Sequence, residues 1–85
     1  MATEFGDGTW IVGSQIEPGV YQSPGLVNSE TGQDIHGYWE RLSGFTGTSD
    51  DILANHNGVG PFVVQILSSD MGFQSKRCGP WKKIS

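Results

Sequence analysis

The chain reads as a small all-β domain, an antiparallel sandwich or partly open barrel with one short helical turn. Three observations predict this class. Thirteen glycines and four prolines cut the 85 residues into short stretches. Those stretches are aromatic or β-branched, residue types that fit a pleated, half-buried surface. The clearest of them, Gly37-Tyr-Trp-Glu-Arg-Leu-Ser-Gly-Phe-Thr-Gly47, is an aromatic strand running into a glycine-studded turn, and it holds no nucleophile with its base, no metal-ligand set and no phosphate loop.

The elements follow in order. Residues 1–8 form a polar, glycine-punctuated arm, expected to be mobile unless a partner holds it, and residues 9–85 form one β domain. Thr9–Val12 is the first strand. Glu17-Pro18-Gly19 is a turn with proline pre-setting the backbone, after which Val20–Ser23 makes a second strand, expected to pair with the first. Residues 25–35 read as an exposed polar loop. His36–Ser43 is a third strand, in which alternation sets Tyr38, Glu40 and Leu42 on one face and Trp39, Arg41 and Ser43 on the other. Tyr38 and Leu42 point to the first face as inward, which would require a partner for Glu40. The opposite choice would stack Arg41 on an outward Trp39.

Ser49–Asn55 has the composition of one helical turn, with Ser49 as cap, Asp50 and Asp51 at its positive end and Asn57-Gly58 to stop it. Pro61–Leu67 is apolar on both faces except for Gln65 and is placed centrally in a sheet. Gly72–Ser75 and Trp81–Ile84 are short strands flanking the Cys78–Trp81 turn. The count is five to seven strands with no long helix.

A chain this short has a small core and a thin stability margin, of order 4–13 kcal/mol. Its single cysteine excludes an intramolecular disulfide, so oligomeric contacts or docking on a larger body are the supports left open. Only 16% of residues are charged, which suits a domain packed against neighbours. Residues 1–75 hold nine acids and one base, whereas Lys76, Arg77, Lys82 and Lys83 make the C-terminus basic. The acidic body argues against nucleic acid as a partner, while the basic end favours head-to-tail contact between copies or an acidic host surface. No segment approaches the ~18 apolar residues of a membrane span, and the N-terminus lacks the basic start and apolar run of a signal peptide.

No catalytic or metal constellation is readable. His36 and His56 show no metal-ligand spacing, Gly58-Val-Gly60-Pro is a turn, and Cys78-Gly79-Pro80 lacks the second cysteine of a redox motif. The chain is therefore read as non-enzymatic, with no cofactor. Trp10, Trp39 and Trp81 are mostly core material, since each buries ~150–250 Å². The rival use of Trp39, Phe45 or Trp81 is as a platform for stacking a sugar or docking a protein.

The ordered blocks Asp7-Gly-Thr-Trp-Ile-Val-Gly13, Ile16-x-Pro-Gly-x-Tyr21, Tyr38-Trp-Glu-Arg-Leu-Ser-Gly-Phe45, Ile52-Leu-Ala-Asn55, Gly60-Pro61 and Cys78-Gly-x-Trp81 span nearly the whole chain. Together they resemble a small β module of secreted and lipid-anchored actinobacterial proteins and of virion proteins of actinobacterial phages. The resemblance carries over no catalytic residue. It implies a second cysteine just before Tyr38, paired with Cys78. Here that position is Gly37, and a free thiol fits assembly in a reducing cytoplasm better than secretion.

An unexported, low-charge copy of such a module resembles a phage virion structural protein. The expectation is a capsid decoration protein on the outer face of the shell, assembled in the host cytoplasm, binding the major capsid protein or another virion protein and associating with its own copies. Its contacts would come from Thr3, Glu4 and Phe5 of the arm, Phe45 of the glycine turn, and Lys76, Arg77, Lys82 and Lys83. The alternative is a cell-surface or carbohydrate-binding module of a secreted or tail-associated protein.

Overall fold

Two four-stranded antiparallel sheets face each other across one apolar core in the computed structural model, which describes all 85 residues. In chain order the strands are β1 (Glu4–Phe5), β2 (Gly8–Ile11), β3 (Gly19–Ser23), β4 (Leu26–Val27), β5 (Asp34–Ile35), β6 (Gly37–Leu42), β7 (Ile52–Gly58), β8 (Phe62–Ile66), β9 (Gly72–Lys76) and β10 (Trp81–Lys83). One sheet runs β1-β10-β3-β8 and the other β2-β9-β6-β7, while β4 and β5 make a separate ribbon. The sheets stay distinct, so this is a sandwich and not a closed barrel.

Chain crossings between the sheets form both flanks. β1 and β2 are consecutive but lie in different sheets, as do β7 and β8 at the opposite side. The same holds for β2 and β3, which pair with β9 and β8 respectively, so the expected hairpin across Gln15–Gly19 does not form. That segment closes on the N-terminus instead: Ala2 N–H donates to Gln15 O at 2.9 Å and Glu17 N–H to Ala2 O at 3.0 Å.

Residues 1–8 are accordingly no free arm. Phe5 is 8% exposed and joins the core, Glu4 and Phe5 pair with Lys82 and Trp81, and Lys83 N–H donates to Thr3 O at 2.9 Å. A single aromatic residue, Phe5, between polar and glycine neighbours gives too little pattern to show a two-residue strand, although its burial is what orders the segment.

The core is aromatic, as small sandwiches need, because few side chains must fill the gap between sheets. Phe73 sits at its centre, edge-on to Trp81 with centroids 5.2 Å apart, near Phe5 at 6.0 Å and Trp39 at 6.1 Å. Ile16, Tyr21, Ile66, Cys78 and Trp81 are fully enclosed. Trp81 Nε1–H donates to Ser75 Oγ at 2.9 Å, so its indole keeps a partner out of water.

That bond belongs to a staple between the chain ends. Asp7 Oδ1 accepts from Ser75 Oγ at 2.7 Å and from Cys78 N–H at 3.1 Å, and Oδ2 accepts from Gly79 N–H at 3.1 Å. One carboxylate thus satisfies the turn between β9 and β10 and fixes the crossing from β1 to β2. Such charge-assisted bonds are about twice as strong as neutral ones.

Three further expectations are corrected. Phe62–Ile66 lies at a sheet edge and not centrally, with Val63 60% exposed, because an apolar residue at the rim needs no covering layer. Residues 25–35 contain the β4–β5 ribbon, whose turn is held by Asn28 Oδ1 accepting from Glu30 N–H at 2.9 Å. The helical turn is confined to a 3₁₀ turn at Ser49–Asp51, preceded by Thr48 without a side-chain cap, and Ile52–Gly58 is a strand. Pairing with β6 overrides the weak local helical signal there.

The face of β6 is settled by Arg41. Its Nε and Nη2 donate to Asp70 Oδ2 and Oδ1 at 2.7 and 2.9 Å, and Asp70 Oδ2 also accepts from Leu67 N–H at 2.9 Å. Trp39 and Arg41 therefore lie on the inner face, while Tyr38 and Glu40 look outward. Replacing one partner of a pair with a buried carboxylate strands the other. Asp70→Ala is expected to lower stability by about 3 kcal/mol, read as a drop in urea midpoint at unchanged slope.

Candidate ligand-binding face

The outward rows of the β2-β9-β6-β7 sheet form a polar surface with one aromatic wall. Across it lie Thr9 and Gln74, paired on β2 and β9, then Glu40 on β6 and Asn55 on β7. With Leu42, Ile52 and the 44–51 loop, the first three border a trough of about 380 Å³. Tyr38 O–H donates to Glu40 Oε2 at 2.8 Å and accepts from Asn55 Nδ2 at 3.3 Å. Burial first, and then the neighbouring Glu40, hold the Tyr38 hydroxyl above its ordinary pKa against the Asn55 bond. Tyr38 stays a neutral donor and fixes the Glu40 carboxylate.

The wall is Phe45, 49% exposed at the tip of the glycine turn. Its ring occupies the space a side chain at residue 72 would take: a β-carbon on Gly72 would stand 2.5 Å from Phe45 Cε1 and Cζ. Gly72 pairs with both Leu42 and Ile11, so the ring lies over the centre of the sheet with its other side in solvent. Ile11 and Met71, also exposed, extend this apolar end.

Asp51 holds the turn in place. Its carboxylate accepts from Thr46 N–H at 2.7 Å and from the Thr46 hydroxyl, and its carbonyl accepts from Ser43 N–H at 2.8 Å. The acid read as a helix-end charge is therefore the pin of the Phe45 loop. No spacing rule signals a carboxylate turned back five residues onto its own loop, which is why the sequence alone misses it.

The other sequence-predicted contact residues do not gather. Phe5 is in the core and unavailable to a partner. Thr3 and Glu4 lie on the β1 edge, where Glu4 sits 3.7 Å from Lys82 with both ends in solvent. Lys83 is half-buried and paired with Glu17 at 3.3 Å. Lys76 and Arg77 lie at the end of β9 in the other sheet, with Arg77 Nε–H donating to His36 O at 3.0 Å. Of the platform aromatics, Trp81 is enclosed and Trp39 packs on the core, leaving Phe45 exposed. His56 sits between Trp39 and Phe62, with centroids at 6.3 and 6.2 Å.

Comparison with known families fits this picture of a small, surface-bearing β domain. A model of the Rv1352-like extracellular domain matches residues 2–82. The chain belongs to that family. It is 29% identical over 86 residues to the uncharacterized proteins Rv1352 and MT1395 of Mycobacterium tuberculosis and Mb1387 of Mycobacterium bovis, covering 94% of this chain and 70% of each relative. No solved structure matches the chain.

Within this family member, the blocks of resemblance prove to be mainly architectural. Asp7 of the first block meets Cys78 and Gly79 of the last, and Gly37 meets Cys78. A β-carbon on Gly37 would stand 3.0 Å from Cys78 Sγ, so position 37 lies where a partner cysteine would have to be. In this chain the backbone has closed over the gap, for the same β-carbon would stand 2.5 Å from the Arg77 carbonyl oxygen. The thiol instead donates weakly to Tyr38 O at 3.4 Å.

Burial, and behind it the Asp7 carboxylate, push the Cys78 thiol above its ordinary pKa, against the lowering effect of its backbone hydrogen bonds. Enclosed and protonated, it is inert. Trapping by a thiol reagent is expected to proceed only at the rate of unfolding. The sign for stability follows: an acid group whose native pKa is raised stabilises the fold at lower pH. That contribution fades as pH climbs above the unfolded thiol value of about 8.5. Thermal melts from pH 7 to 10 should show stability falling above that point, and the slope should lessen in Cys78→Ala.

Proposed function

We propose that this chain is a non-enzymatic recognition module that binds neutral carbohydrate at a cell surface. The observation carrying this reading is the half-exposed Phe45 ring set over Gly72 beside the polar row of Thr9, Gln74, Glu40 and Asn55. A sugar ring has an apolar C–H face and a rim of hydroxyls. Phe45 offers a flat surface to the first, while amides, a hydroxyl and an oriented carboxylate offer donors and acceptors to the second. A few placed polar groups around an apolar contact is the usual make-up of a small-ligand site.

Two features support a recognition role. Both acids at the trough are engaged, Glu40 by the Tyr38 hydroxyl and Asp51 by Thr46. The extracellular family also fits a ligand met outside the cell. A second reading, a decoration protein on a phage shell, draws on Gly37 opposite Cys78, since an unpaired buried thiol suits assembly in a reducing compartment. It would use Lys76 and Arg77, the two basic residues with no salt bridge to an acid of their own chain.

The test is retention of the purified chain on insoluble cell-wall polysaccharide, followed by titration with soluble fragments. Phe45→Ala should weaken binding roughly tenfold, equivalent to about 1.4 kcal/mol, and Phe45→Trp should keep it. Lys82→Ala should leave it unchanged. Failure to bind any glycan, together with saturable binding to capsids that Lys76→Ala weakens, would replace the first reading with the second.

A further inference from the structure

The two flanks of the sandwich are protected unequally. At one flank, β1 is two residues long with Glu4 beside Lys82, and β2 has its last N–H occupied, Ile11 N–H donating to Gln15 Oε1 at 2.8 Å. Short strands, charges and covering loops are the usual guards of an edge. At the other flank lies β7, at seven residues the longest strand of the fold and the edge of its sheet. Its pairing with β6 skips Leu53 in a bulge, which leaves Ala54–Gly58 as the regular, open stretch. Its sequence Ile52-Leu-Ala-Asn-His-Asn-Gly58 contains no Lys, Arg, Asp, Glu or Pro. The neighbouring edge, β8, is equally uncharged.

The direction of the free backbone groups on β7 can be worked out. Leu42 O accepts from Met71 N–H at 2.9 Å, so Leu42 turns toward β9. Alternation along an antiparallel strand then turns Arg41, Trp39 and Gly37 toward β7. Their partners Ala54, His56 and Gly58 spend their N–H and C=O groups on β6. Asn55 and Asn57 consequently point theirs out of the sheet, with both side chains exposed on the outer face.

We propose that this edge pairs with the β7 edge of a second copy, joining two sheets into one of eight strands. A second copy fits better than a charged or shaped partner for three reasons. Neither β7 nor β8 carries a charged residue, so two molecules of net charge −4 can meet there without like charges on the pairing strands. Closed twofold pairing is the commonest route to an oligomer and uses one patch twice. The strand also reads well against itself: an antiparallel twofold at Asn55 sets Asn55 opposite its own copy and His56 opposite Ala54, all within the regular stretch beyond the bulge and all uncharged. The pairing stands whatever ligand the trough takes.

Sedimentation equilibrium of the whole chain tests it. The wild type is expected at twice the monomer mass at micromolar to hundred-micromolar concentration. Asn57→Pro removes an outward N–H and no bond to β6, and should sediment as a monomer with an unchanged far-UV spectrum. Leu53→Lys, placing charge on the same flank at a residue already half exposed, should do likewise. A wild type that stays monomeric at several hundred micromolar overturns the proposal, as does a dimer that persists in both variants.

Discussion

The arginine–carboxylate pair between Arg41 and Asp70 decides which way β6, a central strand of the β2-β9-β6-β7 sheet, faces. Without it, β6 has two nearly equivalent ways to lie, since each face carries an aromatic and a charged residue. Directing Arg41 inward is tolerable because its guanidinium meets a carboxylate enclosed in the turn after β8, and that carboxylate is itself satisfied by Leu67 N–H. A buried pair of this kind contributes little net stability but makes the wrong orientation costly. With Arg41 inward, Trp39 reaches Phe73 and closes the core. Tyr38 and Glu40 are released to the surface, where Glu40, held by the Tyr38 hydroxyl, becomes one side of the trough.

This also marks where reading the chain without its fold runs out. The all-β class follows from glycine, proline and aromatic spacing, which are local properties. The strands at 8–11, 19–23, 37–42 and 72–76 fall close to where their composition places them. What local pattern does not supply is pairing. Trp10 and Tyr21 lie in strands adjacent in sequence yet in opposite sheets, and only the whole packing can say so. The edge position of Phe62–Ile66 escapes for a related reason: an apolar run looks the same whether its outer residues are covered or, like Val63, left in solvent. Phe45 was legible as an exposed aromatic on a glycine turn, while its seat over Gly72 depends on a contact between residues 27 positions apart.

The family blocks take on a physical meaning once the chain is folded. Asp7 at one end and Cys78-Gly79 at the other are the two halves of a single hydrogen-bonded knot, and Ser75 and Trp81 complete it. A domain with so small a core gains from such a knot because it ties both chain ends into the same corner, limiting fraying where short sheets are weakest. Gly37 belongs to the same corner. There the disulfide expected from the resemblance gives way to close backbone contact, so the corner is held by packing and hydrogen bonds alone.

The proposed binding face and the open edge share one strand, and that gives their combination a consequence neither proposal has alone. Asn55 lies on β7, which both borders the trough and carries the outward backbone groups. Pairing two copies there would set two troughs on one continuous face, each several strands from the shared axis. A single shallow site with one aromatic wall binds weakly, since few contacts must offset the loss of ligand freedom. Two such sites held rigidly on one surface turn the second contact with a polymeric glycan into an intramolecular event. They gain avidity without deeper pockets or further contacts. On these two proposals, a small domain with shallow relief would reach useful affinity for a repetitive surface while leaving its core and its single thiol out of the binding.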